Sequence, residues 1–159
     1  MNDGPPRIAS ENLNLDSKSK RIIEELQHDG RRTYSEIGKA VGLSEAAVRQ
    51  RVAKLIDSGA MQIVAVTDPR QLGFARQAMI GVRVTGAITP VADVIAELPT
   101  ADYVVVTAGV YDILAEVVCA DDSELLDVLN TIRAIPGVRE TETMTYLDLR
   151  NQKYNWGTR

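Results

Sequence analysis

The stretch Thr33–Gly59, TYSEIGKAVGLSEAAVRQRVAKLIDSG, constrains this chain more than any other. Ile37, Ala40 and Val41 give its first half one apolar helical face. Val48, Val52 and Leu55 recur at i, i+4 and i+7 in the second half, which makes a second buried stripe. Between them, Val41-Gly42-Leu43 reads as a tight turn, and Ser44 offers a side-chain oxygen to cap the second helix. Arg49, Gln50, Arg51, Ala53 and Lys54 are left on the flanks and the opposite face. Two short helices across a glycine turn, the second presenting Arg and Gln outward, is the layout of a helix-turn-helix that reads DNA.

The flanking sequence extends this unit. Asp16–His28 reads as a preceding helix with Leu15, Ile22, Ile23 and Leu26 on its apolar face, ended by Asp29-Gly30. Ala60–Asp68, AMQIVAVTD, has the β-branched, apolar character of a linking strand, and Asp68-Pro69 breaks it. From about Ala75 the rhythm changes. AMIGVRVT reads as a strand, Thr89–Leu98 as a helix, TADYVVVT and VYDILAEVVCA as two strands joined at Ala108-Gly109. Asp121–Ala134 reads as a helix, and VRETETMTYLDL as a last strand after the turn Ile135-Pro136-Gly137. The order β-α-β-β-α-β predicts a ferredoxin-like arrangement.

The expected class is therefore α+β, a winged or three-helix helix-turn-helix domain joined by a linking strand to a ferredoxin-like domain. The expected boundaries are a disordered leader at 1–14, the DNA-binding domain at 15–59, a linking strand and hinge at 60–74, a ligand-binding and oligomerisation domain at 75–150, and a tail at 151–159. The helices cover one sheet face, while the other keeps apolar residues such as Met144 and Tyr146. A half-covered apolar sheet packs on a copy of itself. In the tail, Tyr154 and Trp156 are expected to cover a subunit seam.

A net charge of −4 over 159 residues looks wrong for a DNA binder. Its distribution removes the objection. Residues 1–66 hold ten Lys/Arg against nine Asp/Glu, and residues 67–159 hold eight against thirteen. The acid belongs to the second half. The first half is only weakly basic, so phosphate contact depends on the cluster Arg31, Arg32, Lys39, Arg49, Arg51 and Lys54, and on several copies acting together. No apolar run approaches a membrane span, and the N-terminus lacks the pattern of a signal peptide. A cytoplasmic, nucleoid-associated setting is expected. Cys119 lies in the apolar run AEVVCA and reads as a reduced core thiol. With one Cys and one His (His28, beside a helix end), the common zinc-site and Cys-His nucleophile patterns are absent from the sequence, and no enzyme, metal or cofactor is expected.

The joint order of these motifs resembles the Lrp/AsnC family of transcriptional regulators. Leu15-Asp16, Leu26-Gln27-His28-Asp29-Gly30-Arg31, Val41-Gly42-Leu43-Ser44 and Val48-Arg49-Gln50-Arg51-Val52 carry the match in the first half. Gly59-Ala60-Met61 marks the exit from it, and Asp68-Pro69, Leu72-Gly73, Gly109-Val110-Tyr111-Asp112 and Pro136-Gly137-Val138 carry the match in the second half. The chain departs from the family pattern at Ser19, where a second Asp is common, and at Ala108, where a polar residue is usual. Asp122 also falls where the family often has an apolar residue.

Two sites follow as expectations. At the DNA end, Ser44, Glu45, Ala46, Arg49 and Gln50 occupy the first turns of the recognition helix, with Arg51, Lys54, Arg31 and Arg32 placed for phosphate. Arg forks onto guanine and Gln onto adenine. At the other end, Gly109 permits close approach of a ligand, and Asp112 offers a carboxylate to an ammonium group. The resemblance implies an effector, an amino acid, bound where such loops meet between neighbouring dimers. It places Val106, Thr107, Ala108, Gly109, Tyr111, Asp112, Met144, Thr145 and Tyr146 at that site. The expected partners are double-stranded DNA, further copies of the chain as dimers, tetramers or octamers, and the small effector. The alternative is an architectural DNA-binding protein without a dedicated effector.

Overall fold

The computed structural model describes residues 15–159. The chain forms two compact units. One contains the residues up to Ala65 together with Asn151–Arg159, and the other is Val66–Arg150.

The first unit is built on three helices: α1 (Ser17–His28), α2 (Tyr34–Val41) and α3 (Glu45–Asp57). Each begins where a side chain satisfies an orphan backbone donor. Asp16 accepts from the Ser19 N–H at 2.8 Å. Thr33 and Glu36 form a reciprocal capping box, the Thr33 N–H donating to Glu36 Oε2 at 3.0 Å. Ser44 accepts from the Ala47 N–H at 3.2 Å, as its place in the sequence predicts. The turn between α2 and α3 depends on two glycines. Gly42 adopts φ +69, a left-handed conformation that glycine takes without steric cost. Gly38 lies so close to the turn that a Cβ there would stand 2.6 Å from the Leu43 carbonyl oxygen. Ile22, Leu26, Ile37, Val41, Val48 and Val52 pack together beneath, all buried. Burying each such side chain stabilises the unit by about 1.5–3 kcal/mol relative to leaving it exposed.

The unit takes the three-helix form, with no wing hairpin among the described residues. The expected strand at Ala60–Asp68 does not form. A strand is defined by a ladder partner, and none pairs with this segment among the described residues, so Ile63, Val64 and Val66 stay exposed. The tail returns to the first unit and is hydrogen-bonded to α1.

The second unit follows the expected order: β1 (Arg76–Val84), α4 (Ile88–Ala96), β2 (Ala101–Val106), β3 (Ile113–Cys119), α5 (Asp122–Ala134) and β4 (Val138–Thr145). The sheet order is β2-β3-β1-β4 and every pair is antiparallel. Alternation along the strands sorts the residues. Ala78, Ile80, Val82, Ile113, Ala115 and Val117 face α4 and α5 and pack on Val91, Ile95, Leu125, Val128 and Ile132. Cys119 belongs to this core, and burial pushes its thiol pKa up. The opposite face carries Met79, Gly81 and Arg83 from β1, Leu114 and Glu116 from β3, and Glu142 and Met144 from β4. No helix of the described residues is long and apolar enough to cross a membrane.

Candidate nucleic-acid interface and effector loop

The outward face of α3 is assembled from its capped start. Ser44, Glu45, Ala46, Arg49, Gln50 and Lys54 are all exposed. Arg49 Nη2 donates to Glu45 Oε1 at 2.8 Å, one turn away, and its guanidinium lies 5.2 Å from the centre of the Tyr34 ring. The ring and the carboxylate both engage the Arg49 guanidinium. Arg49 and Glu45 are both exposed, and such ion pairs contribute little, so this pairing would be exchanged for another contact at small cost. The α3 residues expected to read bases therefore share one open face.

Arg51 does not belong to that face. Its Nη1 donates to Asp16 Oδ1 and Oδ2 at 2.9 and 2.6 Å and to Ser19 Oγ at 2.9 Å. The guanidinium is engaged at the start of α1, so a contact with phosphate would compete with this pairing. Arg32 is likewise paired, with Glu25. Arg31 is exposed. The Ser19 N–H and the Arg51 guanidinium together hold the Asp16 carboxyl down at about 2. Sequence reasoning missed two further cations. Lys18 donates to the Val41 carbonyl and Arg21 to the Ala40 carbonyl, the latter at 2.7 Å. They satisfy the carbonyls at the end of α2, where positive charge is favoured. Their spacing of three on a helix was the available signal.

The loop between β2 and β3 brings Val106, Thr107, Ala108, Gly109, Tyr111 and Asp112 together. The Thr107 N–H donates to the Asp112 carbonyl at 2.9 Å, and the Thr107 hydroxyl donates to the Tyr111 carbonyl. Ala108, Gly109 and Val110 are exposed at the tip. A Cβ at Gly109 would meet nothing within 4 Å, and its φ is not positive, so neither crowding nor backbone strain demands glycine there.

Asp112 has a task the sequence did not suggest. Its Oδ2 accepts from the Val84 N–H at 2.7 Å and so closes the end of β1. Tyr111 lies flat over Gly81, where an added Cβ would stand 2.7 Å from the ring. Its hydroxyl donates to Glu142, which raises the phenol pKa, and Arg83 stacks 5.7 Å from the ring centre. Arg83 also donates to the Val110 carbonyl at 3.0 Å and to Glu140 at 3.3 Å.

Met144, Thr145 and Tyr146 are not brought to this loop within one chain. Met144 pairs with Met79 and Tyr146 donates to the Gln77 carbonyl at 2.8 Å, whereas the loop is tied to Val82 and Val84. Five residues of strand separate the two ends, roughly 16 Å. Among the described residues, no group of three His, Cys, Asp or Glu is placed to hold a metal ion.

Residues 15–56 match the model of the AsnC-type helix-turn-helix domain, and residues 76–159 match an AsnC-type C-terminal dimeric alpha+beta barrel domain. The chain is 38% identical over 135 residues to the HTH-type transcriptional regulator FL11 of Pyrococcus horikoshii, covering 84% of this chain and 89% of that protein. Its fold is similar to the leucine response regulatory protein LrpA of Mycobacterium tuberculosis, with a TM-score of 0.78 and 27% identity over 87% of this chain and 96% of that one. It is also similar to a transcriptional regulator of Neisseria meningitidis solved as a complex with L-Met. That match has a TM-score of 0.74 and 25% identity, over 89% of this chain and 95% of that one.

Proposed function

Because the chain belongs to the Lrp/AsnC family of transcriptional regulators, we propose that its DNA affinity or its assembly responds to a small effector, an amino acid. The helix-turn-helix supplies DNA binding, and the matched families and relatives are regulators rather than enzymes. The observation that carries the effector reading is the exposed loop tip Ala108–Val110, open around Gly109, on a fold shared with a regulator solved with L-Met.

A single chain offers only part of such a site. Asp112 is already engaged by Val84, and Met144–Tyr146 lie at the other end of β1. A zwitterion needs N–H donors for its carboxylate and an acceptor for its ammonium. The site is therefore completed between copies, which requires dimers to assemble further, into tetramers or octamers, in a cytoplasmic setting around the nucleoid. The match to a dimeric barrel domain and the apolar residues Met79, Leu114 and Met144 on the open sheet face support the first step of that assembly.

A thermal-shift series with the standard amino acids tests the effector reading. A ligand at 100 times its dissociation constant adds about 2.7 kcal/mol. A transition that no amino acid moves would favour the second reading, an architectural DNA-binding protein. The commitment of Asp112 to Val84 is the observation on its side. A low ratio of specific to non-specific DNA affinity would then be expected.

A further inference from the structure

The C-terminal residues are held on α1 at defined points. Gly157 turns the chain with φ +76. Its N–H donates to Gln27 Oε1 at 3.0 Å, and the Thr158 hydroxyl donates to Glu24 Oε1 at 2.5 Å. Glu24 and Gln27 are three apart, so they share one stripe of the helix. Trp156 borders a cavity of about 290 Å3 lined by Ile23, Leu26, Gly30, Met61 and Ile63. The indole remains 79% exposed. The hydrogen bonds therefore seat the tail more than the indole does. α1 is also the helix whose start grips Arg51 of the recognition helix through Asp16 and Ser19.

We propose that Trp156–Thr158 is a latch for which the Glu24/Gln27 stripe of α1 is the docking surface, and that its release weakens DNA binding by loosening α1 under the recognition helix. This rests on the reading of the three-helix unit as the DNA-binding element. The donors of the tail meet two acceptors on a helix face, and a left-handed glycine stands at the point of contact. An arm that merely trailed from the last strand would have no need of either feature. The DNA-binding unit is then discontinuous in sequence, made of residues 15–65 and the returning tail.

Trp156 is the single tryptophan, so its fluorescence anisotropy reports the tail alone. In the full chain the expected anisotropy is that of a side chain carried by a folded unit. Gln27→Ala, which is charge-neutral, and the double variant Glu24→Ala/Gln27→Ala should lower it towards the value of a free tail peptide. Both should also speed hydrogen exchange at the Gly157 amide. Affinity for mixed-sequence duplex DNA should fall about fivefold or more in the double variant, the lower end of the range for coupled sites. Electrostatics alone predicts the reverse, because removing Glu24 removes a negative charge.

The proposal is overturned by an unaltered chain whose Trp156 is already as mobile as the free peptide. It is overturned equally by affinity that holds or rises while the tail is released. If the double variant fails to fold, Gln27→Ala alone decides, through the same anisotropy and DNA titrations. An unaltered chain that docks its tail but binds no duplex would overturn the regulator reading and the DNA half of the latch together, and the anisotropy identifies that case.

Discussion

Asp16 and Arg51 clasp each other across 35 positions of sequence, with one guanidinium nitrogen 2.9 and 2.6 Å from the two carboxylate oxygens. The same carboxylate caps α1 through the Ser19 N–H. One side chain thus starts the first helix and anchors the recognition helix to it. A double-mutant cycle of Asp16→Ala and Arg51→Ala should show coupling, the second change costing less once the first is made. Additive losses in urea unfolding would mean that the clasp contributes nothing to stability.

Acid should loosen this clasp. The Asp16 carboxyl is held at about 2 in the folded chain, against about 3.9 for an unperturbed aspartate. A depressed pKa means the group contributes stability above the unfolded value, and that contribution is lost as pH falls from about 4 to about 2. Glu36, lowered chiefly by the Thr33 hydroxyl, and Asp122, lowered chiefly by Arg76, act in the same direction. Melting temperatures followed from pH 5 downward should drop more steeply for the native sequence than for Asp16→Asn. Parallel curves would remove Asp16 from the account.

Arg49 and Arg51 should behave oppositely, though only one residue separates them. Arg49→Ala is expected to weaken specific DNA binding by about 1–3 kcal/mol, the range for a bidentate base contact. It should leave thermal stability nearly unchanged, because Arg49 is exposed and its ion pair is weak. Arg51→Ala should lower stability first. Equal losses for Arg49→Ala on cognate and random duplexes would sink its base-reading role.

Gly81 makes room for Tyr111. A Cβ at 2.7 Å from the ring forces the phenol off Gly81 and strains its bonds to Glu142 and Arg83. Gly81→Ala should cost about 1–3 kcal/mol, as overpacking does. Pairing it with Tyr111→Ala should recover part of that loss relative to the sum of the single changes. Chemical denaturation of the four proteins is the measurement. A Gly81→Ala chain as stable as the parent would show that the ring moves freely.

Local pattern accounts for most of the fold. The i, i+4, i+7 spacing of Val48, Val52 and Leu55, the Ser44 cap and the Gly42 turn each rest on contacts within a few residues, so they are legible in order along the chain. The same holds for the alternation in β1 and β3 and for the exposure of Glu45, Ala46, Arg49 and Gln50. AMQIVAVTD has strand composition, but a strand also needs a ladder partner, and none pairs with it among the described residues.

What the sequence determined by itself is the element order and which α3 residues face outward, since both follow from periodicity. The tertiary structure alone decided which polar side chains were already engaged. Arg51 goes to Asp16, Asp112 to the Val84 N–H, and the tail amide of Gly157 to Gln27. A cation or carboxylate in a sequence has no preferred partner until folding brings donors and acceptors within about 3 Å. At that distance an engaged group must give up a partner within the fold before it can serve DNA or effector, and no spacing rule along the chain records it.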